Sequence, residues 1–209
     1  EEFWAVRLEA AKQLATIKLD QAVTALVAEI GDEDPFVRRA IVEKLANIKT
    51  LETYAAIKQL VEAGDASYYV EAAACRSLGG MTTASLLTNV LNTRSGWNEV
   101  VRGGAIGGLS KMTDSPTALN TVLEYVKPGI PQSLRLTSIR ALGAISQGQS
   151  EANLTVILEK LAELARESFF LTQVSVVNAL SQMETVKAIA VLQGLATQSP
   201  DGRVKRIAD

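Results

Sequence analysis

Asp34-Pro35-Phe36-Val37-Arg38-Arg39-Ala40-Ile41-Val42-Glu43-Lys44-Leu45 is the stretch that decides the fold. Counting from Val37, the apolar residues Ile41, Val42 and Leu45 fall at +4, +5 and +8. At about 100° per residue these positions share one face of a helix, whereas a strand would scatter them over both faces. Asp34 is a good N-cap type, able to accept a bond from a free amide of the first turn. Pro35 follows at the first helical position, where its missing N–H costs nothing.

The same pattern recurs along the chain. Val-Arg-like pairs stand at Val6-Arg7, Val37-Arg38, Val70-Glu71, Val101-Arg102, Leu134-Arg135, Thr172-Gln173 and Val204-Lys205, at intervals of 31, 33, 31, 33, 38 and 32 residues. Eight residues after the first member come Leu14, Leu45, Leu78, Leu109, Leu142 and Leu180. The +4 slot holds Ala10, Ile41, Ala74, Ala105, Ser138 and Val176; the +5 slot holds Ala11, Val42, Cys75, Ile106, Ile139 and Val177. A repeat array is the reading. Cap types precede the pair by three residues at Asp34, Ser67, Asn98 and Asp201, whereas Phe3, Pro131 and Phe169 occupy that slot without a capping group.

Between these helices lie amphipathic stretches at 20–30, 50–63, 82–91, 116–126, 151–166 and 184–196. Each unit is therefore an antiparallel pair, helix A then helix B, with the Val-Arg pair opening B. No alternating strand pattern is present. One such pair cannot bury its apolar face alone, so neighbours must stack into a continuous core. The residue nine after the Val slot is always small (Ala15, Ala46, Gly79, Ser110, Gly143, Ser181), which would let B helices approach closely. Gly103, Gly104, Gly107 and Gly108 crowd one helix and mark the expected soft point of the array. The 38-residue interval around 151–166 is where stacking is expected to be irregular.

Composition removes much chemistry. Among 209 residues there is no His, so every His base, triad or His-ligated metal is excluded within this chain. The lone Cys75 excludes an internal disulfide or cysteine zinc cluster and suits a reducing, cytoplasmic setting. The balance of 21 Lys and Arg against 23 Asp and Glu gives no electrostatic reason for a nucleic-acid or anionic-membrane partner. The longest uncharged runs, 77–93 and 168–183, are studded with polar residues and do not suit hydrocarbon. No phosphate-loop, zinc-protease or nucleophile-elbow motif occurs.

Several residues are candidates for something beyond packing. Arg7, Arg38, Arg102 and Arg135 fall near 100° from the Val slot, inside the apolar arc. A guanidinium there must find acceptors, with Asp32 and Asp34 the obvious ones, so the four form a structural ladder or else an anion-binding row. Phe3 and Trp4 place an aromatic pair at the start of the array, suited to an interdomain contact or to a partner. Tyr68-Tyr69 matches the slots of Trp4-Ala5 and Pro35-Phe36 and reads as interhelix packing. Glu159, Glu163 and Glu167 follow i, i+4 spacing and read as a solvated face. Cys75 reads as an inert buried thiol.

The start Asp34-Pro35-Phe36-Val37-Arg38 resembles that of short bacterial HEAT-like repeats, a resemblance extending over essentially the whole chain. It implies an all-α fold, a right-handed α-solenoid of HEAT-like helical hairpins. The array is expected to form one domain over 1–209, with about six repeats and both ends cut inside the array. A narrower resemblance lies in Phe3-Trp4-Ala5-Val6-Arg7-Leu8-Glu9-Ala10-Ala11-Lys12 and in Ser67-Tyr68-Tyr69-Val70-Glu71-Ala72, which are similar to the C-terminal helical region of bacterial M1-family zinc aminopeptidases. It implies an upstream catalytic domain of the same chain carrying the zinc. No catalytic, cofactor or metal residue is carried over, because none of those ligands occurs here. The alternative is an independent protein-binding scaffold, of the kind seen in phycobilin lyases and their relatives, with a peptide or protein as partner.

Overall fold

The computed structural model describes residues 3–17, 19–95 and 99–209. Among them are thirteen helices and no strand. The A helices are α2 (Asp20–Ala28), α4 (Leu51–Ala63), α6 (Ala84–Thr93), α8 (Pro116–Glu124), α10 (Glu151–Leu164) and α12 (Val186–Gln198). The B helices are α1 (Trp4–Leu14), α3 (Pro35–Leu45), α5 (Tyr68–Leu78), α7 (Val100–Leu109), α9 (Gln132–Ile145), α11 (Phe170–Leu180) and α13 (Gly202–Ala208). The architecture is an all-α solenoid of helical hairpins. None of the described helices is long and apolar enough to cross a membrane.

The chain divides into two compact units, Glu1–Gly108 and Leu109–Asp209. Within the first, B packs on B as α1 on α3 and α3 on α5, while α2 packs on α4. The second repeats this with α9 on α11, α11 on α13 and α10 on α12. The long interval in this unit is taken up by two helices of 14 residues each, α9 and α10.

The periodic slots line the core. Val37, Ile41, Val42 and Leu45 are all buried, as are Val70, Ala74, Cys75 and Leu78 in the next B helix. Leu134, Ile139 and Leu142 repeat this in the second unit, and Ser138 joins them by donating its hydroxyl to the Leu134 carbonyl at 2.9 Å. Each fully buried Leu or Ile stabilises by about 1.5–3 kcal/mol relative to exposure.

The first copy departs from this pattern. Val6 is 54% exposed and Leu14 only half-buried. The reason is a missing flank: α1 packs against α2 and α3, whereas α3 and α5 are covered by B helices on both sides.

Caps locate only some of the starts. Asp34 accepts from the Phe36 amide at 2.8 Å and Asp201 from the Arg203 amide at 2.8 Å. Ser67 makes no such bond, and Asn98 lies outside the described residues. Helices nevertheless begin directly after Phe3, Pro131 and Phe169, with no side-chain cap at any of them. Burial of the apolar stripe therefore sets their register.

The glycines of the B helices are of two kinds. A Cβ on Gly104 would stand 2.5 Å from the Ala72 carbonyl oxygen. One on Gly143 would meet that of Ala179. Here backbone lies against backbone and only glycine fits. Gly103, by contrast, has open space where its Cβ would be.

Candidate functional site

The arginines of the Val-Arg pairs stand at the entry of the B helices with buried stems. Arg38 donates from Nε and Nη2 to the two carboxylate oxygens of Asp65, each at 2.8 Å, and from Nη1 to the carbonyls of Asp32 and Glu33 at 2.7 and 3.0 Å. Arg7 forks in the same way onto Asp32, at 2.7 and 3.0 Å, and also reaches Glu33. Arg135 clasps Glu167 with both terminal nitrogens and gives Nε to the Val126 carbonyl at 2.7 Å.

These acids occupy one register position, five residues ahead of the Val slot of the following copy. Each also stiffens its own loop or helix entry. Asp32 accepts from the Asp34 amide at 2.8 Å, and Asp65 from the Ser67 amide at 2.7 Å. A planar fork on a carboxylate is the strongest ordinary ion-pair geometry. One side chain thus ties the entry of a B helix to the loop that opens the next B helix. Asp34 takes no guanidinium; it is used as a cap.

The electrostatics follow from this pairing. Hydrogen bonding from Arg7 holds the Asp32 carboxyl below its usual range, against the opposing effect of burial. The Arg135 fork does the same for Glu167.

Two copies break the pattern together. Position −5 holds Gly96 in the fourth copy and Gly129 in the fifth, so the residues expected to reach them lack an acid. The first of these residues is itself acidic: Glu71 replaces the arginine, and Arg94 Nε lies 3.0 Å from its Oε1. The ion pair is kept with its charges exchanged. Glu71 is deeply buried, and burial pushes its carboxyl up despite Arg94. The second, Arg102, turns to Glu99 of its own helix entry at 2.9 Å. In the sixth copy the slot is Gln173, which donates to the Ala165 carbonyl at 3.2 Å. Asp65, Glu167 and Arg94 were not anticipated from the sequence. The signal was available at three of the four arginines, because Arg7, Arg38 and Arg135 each have an acid at −5 of the following copy; Arg102 does not.

The aromatic candidates lie elsewhere, on the open edge of the first unit. Phe3 and Trp4 have ring centroids 5.5 Å apart, and Trp4 stacks on Phe36 at 5.6 Å. Phe36 is 64% and Tyr69 52% exposed, with Tyr68 close behind. The expectation that Tyr68 and Tyr69 fill an interhelix seam is therefore corrected. In the second turn of α5 the small residues Ala72, Ala73 and Ala74 are the buried ones, leaving the tyrosines of the first turn outside.

Glu159 and Glu163 face solvent, while Glu167 is drawn in by Arg135. Burial pushes the Cys75 thiol up to about 12, which leaves no thiolate for reaction at neutral pH. A cavity of about 240 Å³ beside Arg7 is lined largely by apolar residues such as Ala11, Leu14, Leu26 and Ile41; its wall carries three charges, of which Arg7 and Asp32 are paired to each other and the third is Glu29. Among the described residues no group of three or more acids or thiols is placed to hold a metal.

Comparison with known proteins agrees with this architecture. The chain is similar in fold to the complex of CpcE and CpcF of phycocyanin lyase from Nostoc sp. PCC7120, at 17% identity and TM-score 0.56, covering 99% of this chain and 88% of that one. It is also similar to an engineered protein, at 18% identity and TM-score 0.52, covering 89% and 93% of the two chains. No curated protein matches it. Residues 1–68, which carry the first copies of the ladder and the aromatic edge, match the family described as HEAT repeats.

Proposed function

We propose that this chain is a non-catalytic, protein-binding scaffold of HEAT-like repeats. The observation that carries this reading is the aromatic edge of the first unit, where Trp4, Phe36, Tyr68 and Tyr69 stand exposed at the entries of the B helices. Aromatic side chains are the residue types that anchor protein interfaces, and exposed apolar clusters mark them. Buried polar groups, by contrast, are engaged inside the fold: Asp32 with Arg7, Glu71 with Arg94, and Thr53, Ser138 and Ser146 with nearby backbone carbonyls. Panning a random twelve-residue phage library on the intact chain tests the reading. Enriched peptides should lose binding to a Phe36→Ala/Tyr69→Ala variant whose melting curve is unchanged, and a library that never enriches would remove the proposal.

A second reading is favoured by the Phe3–Lys12 stretch. In it the chain is an accessory region of a cytoplasmic M1-type zinc aminopeptidase, and Phe3 and Trp4 seat against the upstream catalytic domain that holds the zinc. The reading frame ahead of Glu1 decides it: an H-E-x-x-H motif there supports it, and its absence from a frame of catalytic-domain length refutes it. The scaffold reading stands first because residues 1–68 match HEAT repeats and one similar fold is that of a complex of two lyase proteins.

A further inference from the structure

The cavity beside Arg7 has a cause in the repeat pattern. At the +4 and +5 slots α3 carries Ile41 and Val42, whereas α1 carries Ala10 and Ala11. Both alanines line the cavity, and so does Ala25 of α2. Leu26, Val37 and Ile41, all buried, form its apolar depth. The side chains that fill these slots on α3 are thus cut back to methyl groups on α1, and about 240 Å³ is left unfilled. Its walls come from α1, α2 and α3 together, so the space reaches into the packing of the unit. Protein interiors are otherwise packed as densely as organic crystals, and an apolar hollow with a few polar groups on its wall is the usual form of a small-ligand site.

The charges on that wall choose the ligand. Arg7 is occupied by Asp32, at 2.7 and 3.0 Å, and by Glu33 at 3.0 Å. Glu29 makes no side-chain hydrogen bond or ion pair with any described residue. It stands at the C-cap of α2, where unpaired carbonyls give a helix its negative end. Among the described residues, the charge of the wall left without a partner is therefore negative and lies at a helix end of the same sign.

We propose that this cavity binds a small primary amine with an apolar body, the body resting on Ala10 and Ala11 and the ammonium against Glu29. Volume sets the size of the body. A void of about 150 Å³ holds a benzene ring, so one of about 240 Å³ holds a ring with a chain of about three carbons. An anionic ligand of the same shape would meet Glu29 with Arg7 already taken. The site goes beyond the scaffold reading and is independent of it.

The test is a ligand-observed NMR titration of the intact chain with 3-phenylpropylamine, with 3-phenylpropanol and 3-phenylpropanoate as the neutral and anionic controls. The amine, with about ten heavy atoms, should bind with a dissociation constant below about 1 mM. The alcohol should bind about threefold to fivefold more weakly, and the carboxylate more weakly still. Glu29→Gln, at an exposed site, should leave the melting curve unchanged and bring the amine down to the affinity of the alcohol, while the alcohol itself is unaffected. Ala10→Ile, also at an exposed site, gives α1 the residue that α3 carries in this slot and should abolish binding of both. An amine that binds no better than the carboxylate, or that keeps its affinity in Glu29→Gln, overturns the choice of ligand. Absence of binding, or binding untouched by Ala10→Ile, overturns the site.

Discussion

Replacing Arg38 by Ala measures what the ladder contributes. Its side chain is 13% exposed and that of Asp65 9% exposed, and four hydrogen bonds end on this one guanidinium. Breaking a fully buried pair costs about 3–5 kcal/mol, because the remaining charge is left without a partner. Here the orphaned Asp65 keeps the Ser67 amide at 2.7 Å, and the freed carbonyls of Asp32 and Glu33 can reach water. The expected loss is therefore about 2–3 kcal/mol, at or just below the bottom of that range. With a urea slope of about 1.5 kcal/mol/M for a unit of this size, the midpoint should fall by about 1.5 M. Trp4 lies against Phe36 of α3, so its fluorescence follows the unit that contains Arg38. Arg39→Ala, one residue along and exposed, serves as the control and should shift stability by no more than about 0.5 kcal/mol. Adding Asp65→Asn to Arg38→Ala should restore part of the loss, since the isolated carboxylate disappears. A midpoint within about 0.3 M of the wild type for Arg38→Ala would refute the idea that the fork ties neighbouring repeats.

Two further outcomes follow from the packing. Gly103→Ala should stabilise by about 0.5–1 kcal/mol through helix propensity, since its Cβ meets nothing, whereas Gly104→Ala must force α7 off the Ala72 backbone and should cost about 2 kcal/mol or more, both read from thermal melts. Glu71→Gln should hold or raise stability at pH 7. Burial raises the folded Glu71 carboxyl above its ordinary value of 4.5, so its charged form is less favourable in the native state than in the unfolded chain. The advantage of Gln should then shrink as the pH falls through the raised native carboxyl and be gone below its ordinary value of 4.5, where Glu71 is protonated in both states; a destabilised variant at pH 7 would mean that the Arg94 pair outweighs desolvation.

The parts of this fold legible in the sequence were those carried by repetition. Val37 with Leu45 and Val70 with Leu78 stand where a 3.6-residue period puts them, because a helix face covered on both flanks leaves little choice of side chain. Val6 obeys the same pattern yet faces solvent, since the pattern records which face is apolar and not whether a neighbour covers it. The ladder was half legible. That the arginines point into the apolar arc follows from angle alone, but their partners lie about 25 to 32 residues onward in a loop whose path no local rule supplies. Tyr69 misled for a related reason: an aromatic at helix spacing suits packing and docking equally, and only the small alanines beside it in space decide.

The exchanged pair of Glu71 and Arg94 gives the array a reading order. Excising α4 together with α5 would splice Arg38 directly ahead of the segment carrying Arg94, bringing guanidinium to guanidinium where a carboxylate had been. Duplicating the same hairpin would set Glu71 against a second Asp65, acid on acid. Gain or loss of whole hairpins, the easy route by which tandem arrays change length, is thus penalised at this junction, and the number of hairpins in the first unit is guarded by a single reversal of sign.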